Sequence, residues 1–353
     1  AMALEKYGTM PWREVVQPAI NLARDGFELD WYDLCVIGVD QDRICYNAEA
    51  SRIFLQDGGL PVGDGVTPNV FRQPDLAMTL ERLAEAGPRD FYAGDISRSI
   101  VSGLEDLGAI LNLDDFAQYR AKVISPQRSE YRDTVVCVPP FACAGPTTLA
   151  TLNIYKHFDV AHLGCESAER LHVFICAARL ARADRMAFMA DPSMAEVPWD
   201  GLASEGYGLE RAAQIDVGMT PHEFAAGNPW CHQASGGGTL PVTREGPEGS
   251  TTHLCAADRD GNMVSLTNTI MAGFGSGVVP RGTGIVMNNG MMWFNPEPGY
   301  PNSVSPCAKP LNNMTPTLVL HNGQPILAIG ATGGRRITNA VCQIISNVVD
   351  HGM

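Results

Sequence analysis

Apolar residues recur through the first third of the chain at the spacing of helix faces. After Pro11, the positions Val15, Val16, Ala19, Ile20, Leu22 and Ala23 follow a helical period, and Gly26 ends it. The same period predicts a helix near Ala77–Ala86, stopped by Gly87-Pro88. It predicts another from Ala93 to Leu107 with Ile96, Ile100, Val101 and Leu104 facing inward. Residues 1 to about 125 therefore read as packed helices. The pattern then changes: Asp133 to Val138 is a β run ended by Pro139-Pro140, and Gly145–Phe158, Ser167–Met189 and Gly206–Ile215 return to helix.

From Asn228 to Ser250 the chain is polar and broken by Gly236-Gly237-Gly238, Pro241, Gly246, Pro247 and Gly249, which predicts a flexible linker over about 217–250. Ser250 to Thr269 then reads as a hairpin, two β-prone runs joined by Arg259-Asp260-Gly261-Asn262. A second hairpin, Thr317–Leu320 with Pro325–Ile329, turns on Asn322-Gly323. It leads through Gly330-Ala331-Thr332-Gly333-Gly334 into a helix from Arg335 to Val349. That order sets backbone N–H groups at a helix N-terminus, where an anion is stabilised.

The linker matters because it runs straight into a threonine. A Thr hydroxyl is a poor nucleophile until a base takes its proton, and a free α-amine on the same residue can be that base once the preceding peptide is cut. Such an amine titrates near pH ~8, so part of it is neutral under ordinary conditions. A strand that opens with threonine directly after a flexible segment is the pattern of an N-terminal nucleophile, with Ser250–Thr251 as the cleavage site and Thr251 as the attacking group. Taken alone, Ser250-Thr251-Thr252 also reads as the plain start of an edge strand. His253 lies two residues on, on the same strand face as Thr251, and is read as structural support.

Composition narrows the classes. The 353 residues allow two or three domains or one large core, and 45% hydrophobic residues are ample to fill it. A net charge of −14 argues against nucleic acid and anionic membrane surfaces as partners. The longest apolar candidate, Leu171–Met189, is interrupted by Arg179, Arg182, Asp184 and Arg185, so no membrane span is expected. Ten cysteines contain no C-x-x-C pair, and Cys137 and Cys176 sit in apolar runs as small buried hydrophobes. Free thiols fit a reducing compartment, and an exported location stays open. No H-E-x-x-H signature occurs, and neither a metal nor a cofactor is expected. Gly273-Phe274-Gly275-Ser276-Gly277 lacks the flanking strand and helix of a nucleotide loop and is read instead as a turn at a substrate entrance.

Thr251-Thr252-His253, Asp258-Arg259-Asp260-Gly261-Asn262, Ser265-Leu266-Thr267-Asn268-Thr269, Phe274-Gly275-Ser276-Gly277, Asn288-Asn289 and Gly333-Gly334 resemble the small-subunit signature of the γ-glutamyltranspeptidases. Leu4-Glu5-Lys6-Tyr7-Gly8-Thr9-Met10-Pro11, Ala183-Asp184-Arg185 and Asp191-Pro192 resemble that family's large subunit, in the same order, so the likeness spans the chain. The resemblance implies an α+β fold, the four-layer αββα sandwich of the N-terminal nucleophile hydrolases. It implies a large-subunit part over 1–250 and a small-subunit part over 251–353, cut from one precursor, forming one domain and open to pairing as a homodimer. It also implies that both ends continue in a longer precursor, whose front supplies an arginine for the substrate carboxylate.

For function the resemblance implies cleavage of a small-molecule amide or peptide, such as a γ-glutamyl amide like glutathione, through an acyl-enzyme. Thr269 would bond Thr251, and Gly333 and Gly334 would form the oxyanion hole. The chain departs from the family where the substrate is held. Met271, Gly290 and Trp293 stand where relatives carry polar or acidic groups, Asn312-Asn313 replaces a serine pair, and the Pro139-Pro140-Phe141-Ala142-Cys143-Ala144-Gly145 turn has lost its serines. An amidase or acylase for a dicarboxylic amide is the alternative. An inactive binding relative would have lost the nucleophile or the glycines, and both are present.

Overall fold

The computed structural model describes residues 1–63, 69–221, 223–237 and 249–353. Of the expected linker, Gly238, Pro241, Gly246 and Pro247 lie outside the described residues. The chain divides into two compact units, one of Ala1–Val123 with Ala272–Asn289, the other of Ile124–Met271 with Gly290–Met353. The Ser250–Thr251 bond is not a boundary between them, since both sides of it fall in the second unit.

The first unit carries α1 (Met2–Tyr7), α2 (Trp12–Asp25), α3 (Trp31–Val39), α4 (Gln41–Cys45) and α5 (Ala48–Phe54). It continues with α6 (Pro74–Ala86), α7 (Arg89–Ala93), α8 (Asp95–Glu105) and α9 (Leu113–Gln118). A two-residue ladder pairs β1 (Phe27–Glu28) with β2 (Val70–Phe71). In α2 the buried stripe is Val16, Ile20 and Ala23, and Val16 and Ile20 pack with Ala84 of α6. Val15, Ala19 and Leu22, expected inward, belong to the adjacent stripe and are exposed, because one packed neighbour covers only one stripe of an isolated face. In α8, Ile96, Ile100 and Leu104 are buried as expected and Val101 is half-buried. Phe274 meets the Phe54 ring edge-on at 4.8 Å between centroids. Gly275 is required by crowding, since a Cβ there would fall 2.2 Å from the Met287 carbonyl oxygen. The glycine turn expected at a substrate entrance is thus accounted for by packing inside this unit.

The second unit is built on an antiparallel sheet of order β3 (Gln127–Tyr131), β4 (Thr134–Val138), β7 (Thr317–His321) and β8 (Gln324–Ile329). β4 precedes residue 250 and pairs with β7, which lies beyond it in the chain, so the sheet joins both sides of the expected cut. Asn322 and Gly323, both at positive φ, make the turn between β7 and β8. Helices α10 (Gly145–Tyr155), α12 (Ala168–Phe188) and α15 (Arg336–His351) bury Leu149, Val173, Ala177, Val341 and Ile345 against Val136, Val138 and Val319 of the sheet. Cys137, Cys176 and Cys342 are buried, Cys176 and Cys342 within this core. Shorter helices α11 (Val160–Leu163), α13 (Trp199–Ala203) and α14 (Glu205–Ala212) complete the cover. Between α10 and β7 come β5 (Ser250–Ala257) and β6 (Met263–Met271), which pair as a hairpin. Among the described residues no helix is long and apolar enough to cross a membrane, and no cluster of His, Cys, Asp or Glu could hold a metal ion.

The C-terminal end of α15 is tied to the sheet by one carboxylate. Asp350, its side chain 2% exposed, pairs with Arg132 at 2.7 Å and accepts from the hydroxyls of Tyr131 and Ser346. Burial and the neighbouring carboxylate push the Tyr131 hydroxyl upward, so it stays a donor. Losing that acceptor leaves a buried hydroxyl and a guanidinium without their partner. Asp350→Ala is therefore expected to lower the unfolding free energy of the full-length protein by about 2–4 kcal/mol, read from a denaturation midpoint, and Asp350→Asn by less. An unchanged midpoint for Asp350→Ala would show that α15 is held by its apolar face and its Arg170 contacts without this carboxylate.

Candidate active site

The hairpin's turn explains one sequence motif physically. The Asp258 carboxylate accepts from the backbone N–H of Asp260 at 3.0 Å and of Asn262 at 2.9 Å, and from the Asn262 side chain at 2.8 Å. These bonds hold its carboxyl below the ordinary range, and Gly261 supplies the positive φ that closes the turn. The Asp-x-Asp-Gly-Asn motif is thus accounted for as a turn.

Along the two strands, residues alternate between faces. His253, Cys255, Ser265 and Thr267 share one face, which lies against the β7–β8 end of the sheet. The Ser265 hydroxyl donates to the Ile329 carbonyl at 2.9 Å and accepts from the Thr317 N–H at 3.0 Å. Leu254, Val264 and Leu266 lie on the other face and are exposed. His253 does not reach Thr251: one ring nitrogen contacts the Thr267 hydroxyl at 2.8 Å and the other the Cys255 thiol at 3.2 Å. Burial pushes the imidazole down from its usual range. Gly330 abuts this ring so closely that a Cβ on it would lie 2.1 Å from a ring carbon. The histidine is a spacer between hairpin and sheet, in keeping with the structural role expected of it.

Thr251 sits at a register shift. Ser250 pairs with Met271 and Thr252 with Asn268, so Thr251 faces an extra residue on β6. The irregularity brings four groups together. The Thr251 hydroxyl donates to Thr269 Oγ1 at 3.4 Å, and the Met271 N–H donates to the same oxygen at 2.9 Å. Thr269 in turn donates its own proton to the Ser250 carbonyl at 2.8 Å. One hydroxyl therefore holds both the candidate nucleophile and the carbonyl of the bond expected to break.

Gly333 and Gly334 lie where strand passes to helix, both at positive φ, of 103° and 59°. Their carbonyls accept from the N–H groups of Arg336 and Ile337. In a trans peptide the N–H points opposite to the C=O, so the Gly334 N–H looks away from α15. Through Gly330 and His253 this turn is placed beside β5.

The remaining expected residues are held by other contacts. Met271 is buried with only its backbone engaged at the Thr251 group, and its φ of 80° is unusual for a non-glycine residue. Gly290 to Trp293 form a 3₁₀ turn in which the Trp293 carbonyl accepts from Asn302 at 2.7 Å. The Asn312 amide donates to the Ala142 carbonyl at 2.8 Å, and Asn313 accepts from Arg185 at 3.3 Å. Arg185 is a residue whose role sequence reasoning missed. It bonds the carbonyls of Cys143 and Asn312 as well, joining the proline-rich turn to the asparagine pair. Its neighbour Asp184 turns to the buried Arg211 at 3.2 Å and accepts from the Gly227 N–H. The Ala183-Asp184-Arg185 motif is visible in the sequence, but its two opposite anchoring tasks are not.

Known proteins carry the same pattern. A family model described as gamma-glutamyltranspeptidase matches residues 1–353. The chain is 34% identical over 369 residues to the glutathione hydrolase proenzyme of Escherichia coli (strain K12), covering 100% of this chain and 60% of that protein. It is 33% identical over 352 residues to the acylase ACY 1 proenzyme of Pseudomonas sp. (strain SE83), covering 99% of this chain and 60% of that protein. The cephalosporin acylase structure from Bacillus halodurans matches with a TM-score of 0.84 at 28% identity, over 99% of this chain and 61% of that one. The chain thus spans 60% of the length of these curated relatives.

Proposed function

The chain belongs to the γ-glutamyltranspeptidase family and has the α+β, αββα fold of the N-terminal nucleophile hydrolases, and on that premise we propose that it is the nucleophile-bearing part of a self-processing threonine amidohydrolase and acyltransferase. The observation that carries the reading is the single Thr269 hydroxyl shared by Thr251 and the Ser250 carbonyl. In the continuous chain, Thr251 Oγ attacks the Ser250 carbonyl carbon while Thr269 donates to the carbonyl oxygen as it becomes negative. A C–O bond forms, the C–N bond to Thr251 breaks, and the hydroxyl proton passes to the departing nitrogen. Water then opens the ester, leaving a Ser250 carboxylate and a Thr251 with both a free hydroxyl and a free α-amine.

That amine is the base the mature enzyme needs. Thr251 Oγ attacks a substrate amide, the amine shuttles the proton to the leaving nitrogen, and Gly333 and Gly334 stabilise the oxyanion. Water or an acceptor amine releases the acyl group. The two pieces, 1–250 and 251–353 with whatever adjoins them, stay joined because β4 and β7 share one sheet. The substrate class is a γ-glutamyl amide such as glutathione.

A second reading, an acylase for a dicarboxylic amide, is favoured by the positions expected to meet the substrate's α-amine. Gly290 offers no side chain, Trp293 a half-buried indole, and Met271 no exposed side chain at all. A cationic amine taken from water into such surroundings lacks a counter-charge. The acylase relatives agree with this reading. On this second reading, paired kcat/KM values on glutaryl and γ-glutamyl anilides, measured on the mature full-length enzyme, favour the glutaryl compound. Apolar pockets discriminate weakly, so the ratio should be modest, on the order of 10-fold. A clear preference for the γ-glutamyl anilide would return the narrower glutathione-type reading.

A further inference from the structure

We propose that Gly249 and Met271 are positioning residues for self-cleavage: the Met271 backbone clamps the Ser250–Thr251 peptide onto β6, and Gly249 lets the clamp close. The inference rests on the self-processing reading of the chain. Met271 is paired with Ser250 across the hairpin and is held at a φ of 80° while 1% exposed. A non-glycine residue stays in that region only where its surroundings over-determine it. Its two peptide groups lie against Thr269 and Gly249, on either side of Ser250. On one side its N–H donates to Thr269 Oγ1 at 2.9 Å, fixing the hydroxyl that donates to the Ser250 carbonyl at 2.8 Å. On the other side its carbonyl oxygen lies 2.4 Å from where a Cβ on residue 249 would stand. That oxygen is backbone and belongs to the strained residue, so it cannot swing aside as a flexible side chain would. Any side chain at 249 must therefore lift residues 249–250 away from β6.

Lifting the chain there has a chemical cost. When Thr251 Oγ adds to the Ser250 carbonyl carbon and the C–N bond to Thr251 breaks, negative charge passes through the carbonyl oxygen, and the Thr269 proton is the donor aimed at it. Loss of one such donor slows acyl transfer by roughly 10²–10³-fold. Residue 249 takes no part in later turnover, because after cleavage it is the penultimate residue of the departing chain end.

Cutting of the freshly refolded full-length precursor is measured by intact mass for wild type, Gly249→Ala, Gly249→Val and Thr251→Ala. Turnover per cut site is measured by active-site titration. Cutting rates are expected to fall in the order wild type, Ala, Val, by about 10-fold or more for Ala and about 10²-fold for Val, with kcat per cut site unchanged. A merely structural role would lower kcat per cut site along with the cutting rate. Circular dichroism against the Thr251→Ala precursor checks folding, and if the Val variant has not folded, the Ala variant decides. Wild-type cutting rates in the folded glycine variants would overturn the clamp and leave self-cleavage standing. A wild-type precursor that never cuts, or a Thr251→Ala precursor that does, would overturn the reading beneath it.

Discussion

The full-length precursor carrying Thr251→Ala is expected to remain one chain and to lose amide turnover by a factor on the order of 10⁴–10⁶. Both losses come from one oxygen. Before cleavage, the Thr251 hydroxyl lies on the same Thr269 oxygen that polarises the Ser250 carbonyl, so removing it leaves that carbonyl polarised with nothing to attack it. After cleavage, the same oxygen would carry the acyl group, and the amine that activates it exists only if the cut has been made. Wild-type protein should give a new fragment beginning Thr-Thr-His by intact mass, and Thr251→Ser, which keeps a hydroxyl, should still cut. A wild-type protein that hydrolyses amides while uncut would remove the mechanism, and a Thr251→Ala chain that cuts would assign the first step to another nucleophile.

Much of the fold is legible in the sequence because it rests on local rules. Period 3.6 places α2, α6, α8, α10, α12 and α15, and Asn322-Gly323 and Asp260-Gly261 mark both hairpins. Other features depend on tertiary context. β3 is an edge strand, Gln-Arg-Ser-Glu-Tyr, whose residues alternate without an apolar run, and only its pairing with β4 makes it a strand. The hairpin β5–β6 alternates as expected, but its polar face is the one turned to β7 and β8. Ser265 finds its partners there and Thr267 bonds His253 within the hairpin, while Leu254 and Leu266 stay exposed. Alternation says that two faces differ, and it does not say which one meets a neighbour.

The candidate site divides the same way. Thr251 is legible as chemistry because its hydroxyl follows directly on a linker, and Thr269 is legible as its partner through the family resemblance. The Met271 backbone at positive φ and the Arg185 guanidinium across Cys143 and Asn312 are not, because neither a dihedral angle nor a long-range contact has a signature in residue order. From the sequence, Met271 reads as a substrate-facing side chain. Its side chain is buried, and what it presents to Thr269 is its N–H.

Replacing Gly334 by valine is expected to lower kcat by roughly 10²–10³-fold, the usual cost of one oxyanion donor, with KM little changed. The backbone angle is the reason. At a φ of 59° a glycine is unstrained, whereas a β-branched residue is a genuine outlier and must leave the left-handed region. Gly334 is buried and its carbonyl opens α15 by accepting from Ile337, so the helix resists movement on that side. The adjustment then falls on the peptide joining Gly333 to Gly334, whose N–H looks away from the helix. Turning that peptide re-aims the donor while the sheet and the helix stay in place, which separates this variant from one that unfolds. The measurement is kcat and KM on one anilide substrate for the mature variant, with circular dichroism to confirm the fold. A transition-state donor lost in this way lowers kcat and kcat/KM together. An unchanged kcat in a folded variant would place the oxyanion donors elsewhere, and a rise in KM alone would make Gly334 part of ground-state binding.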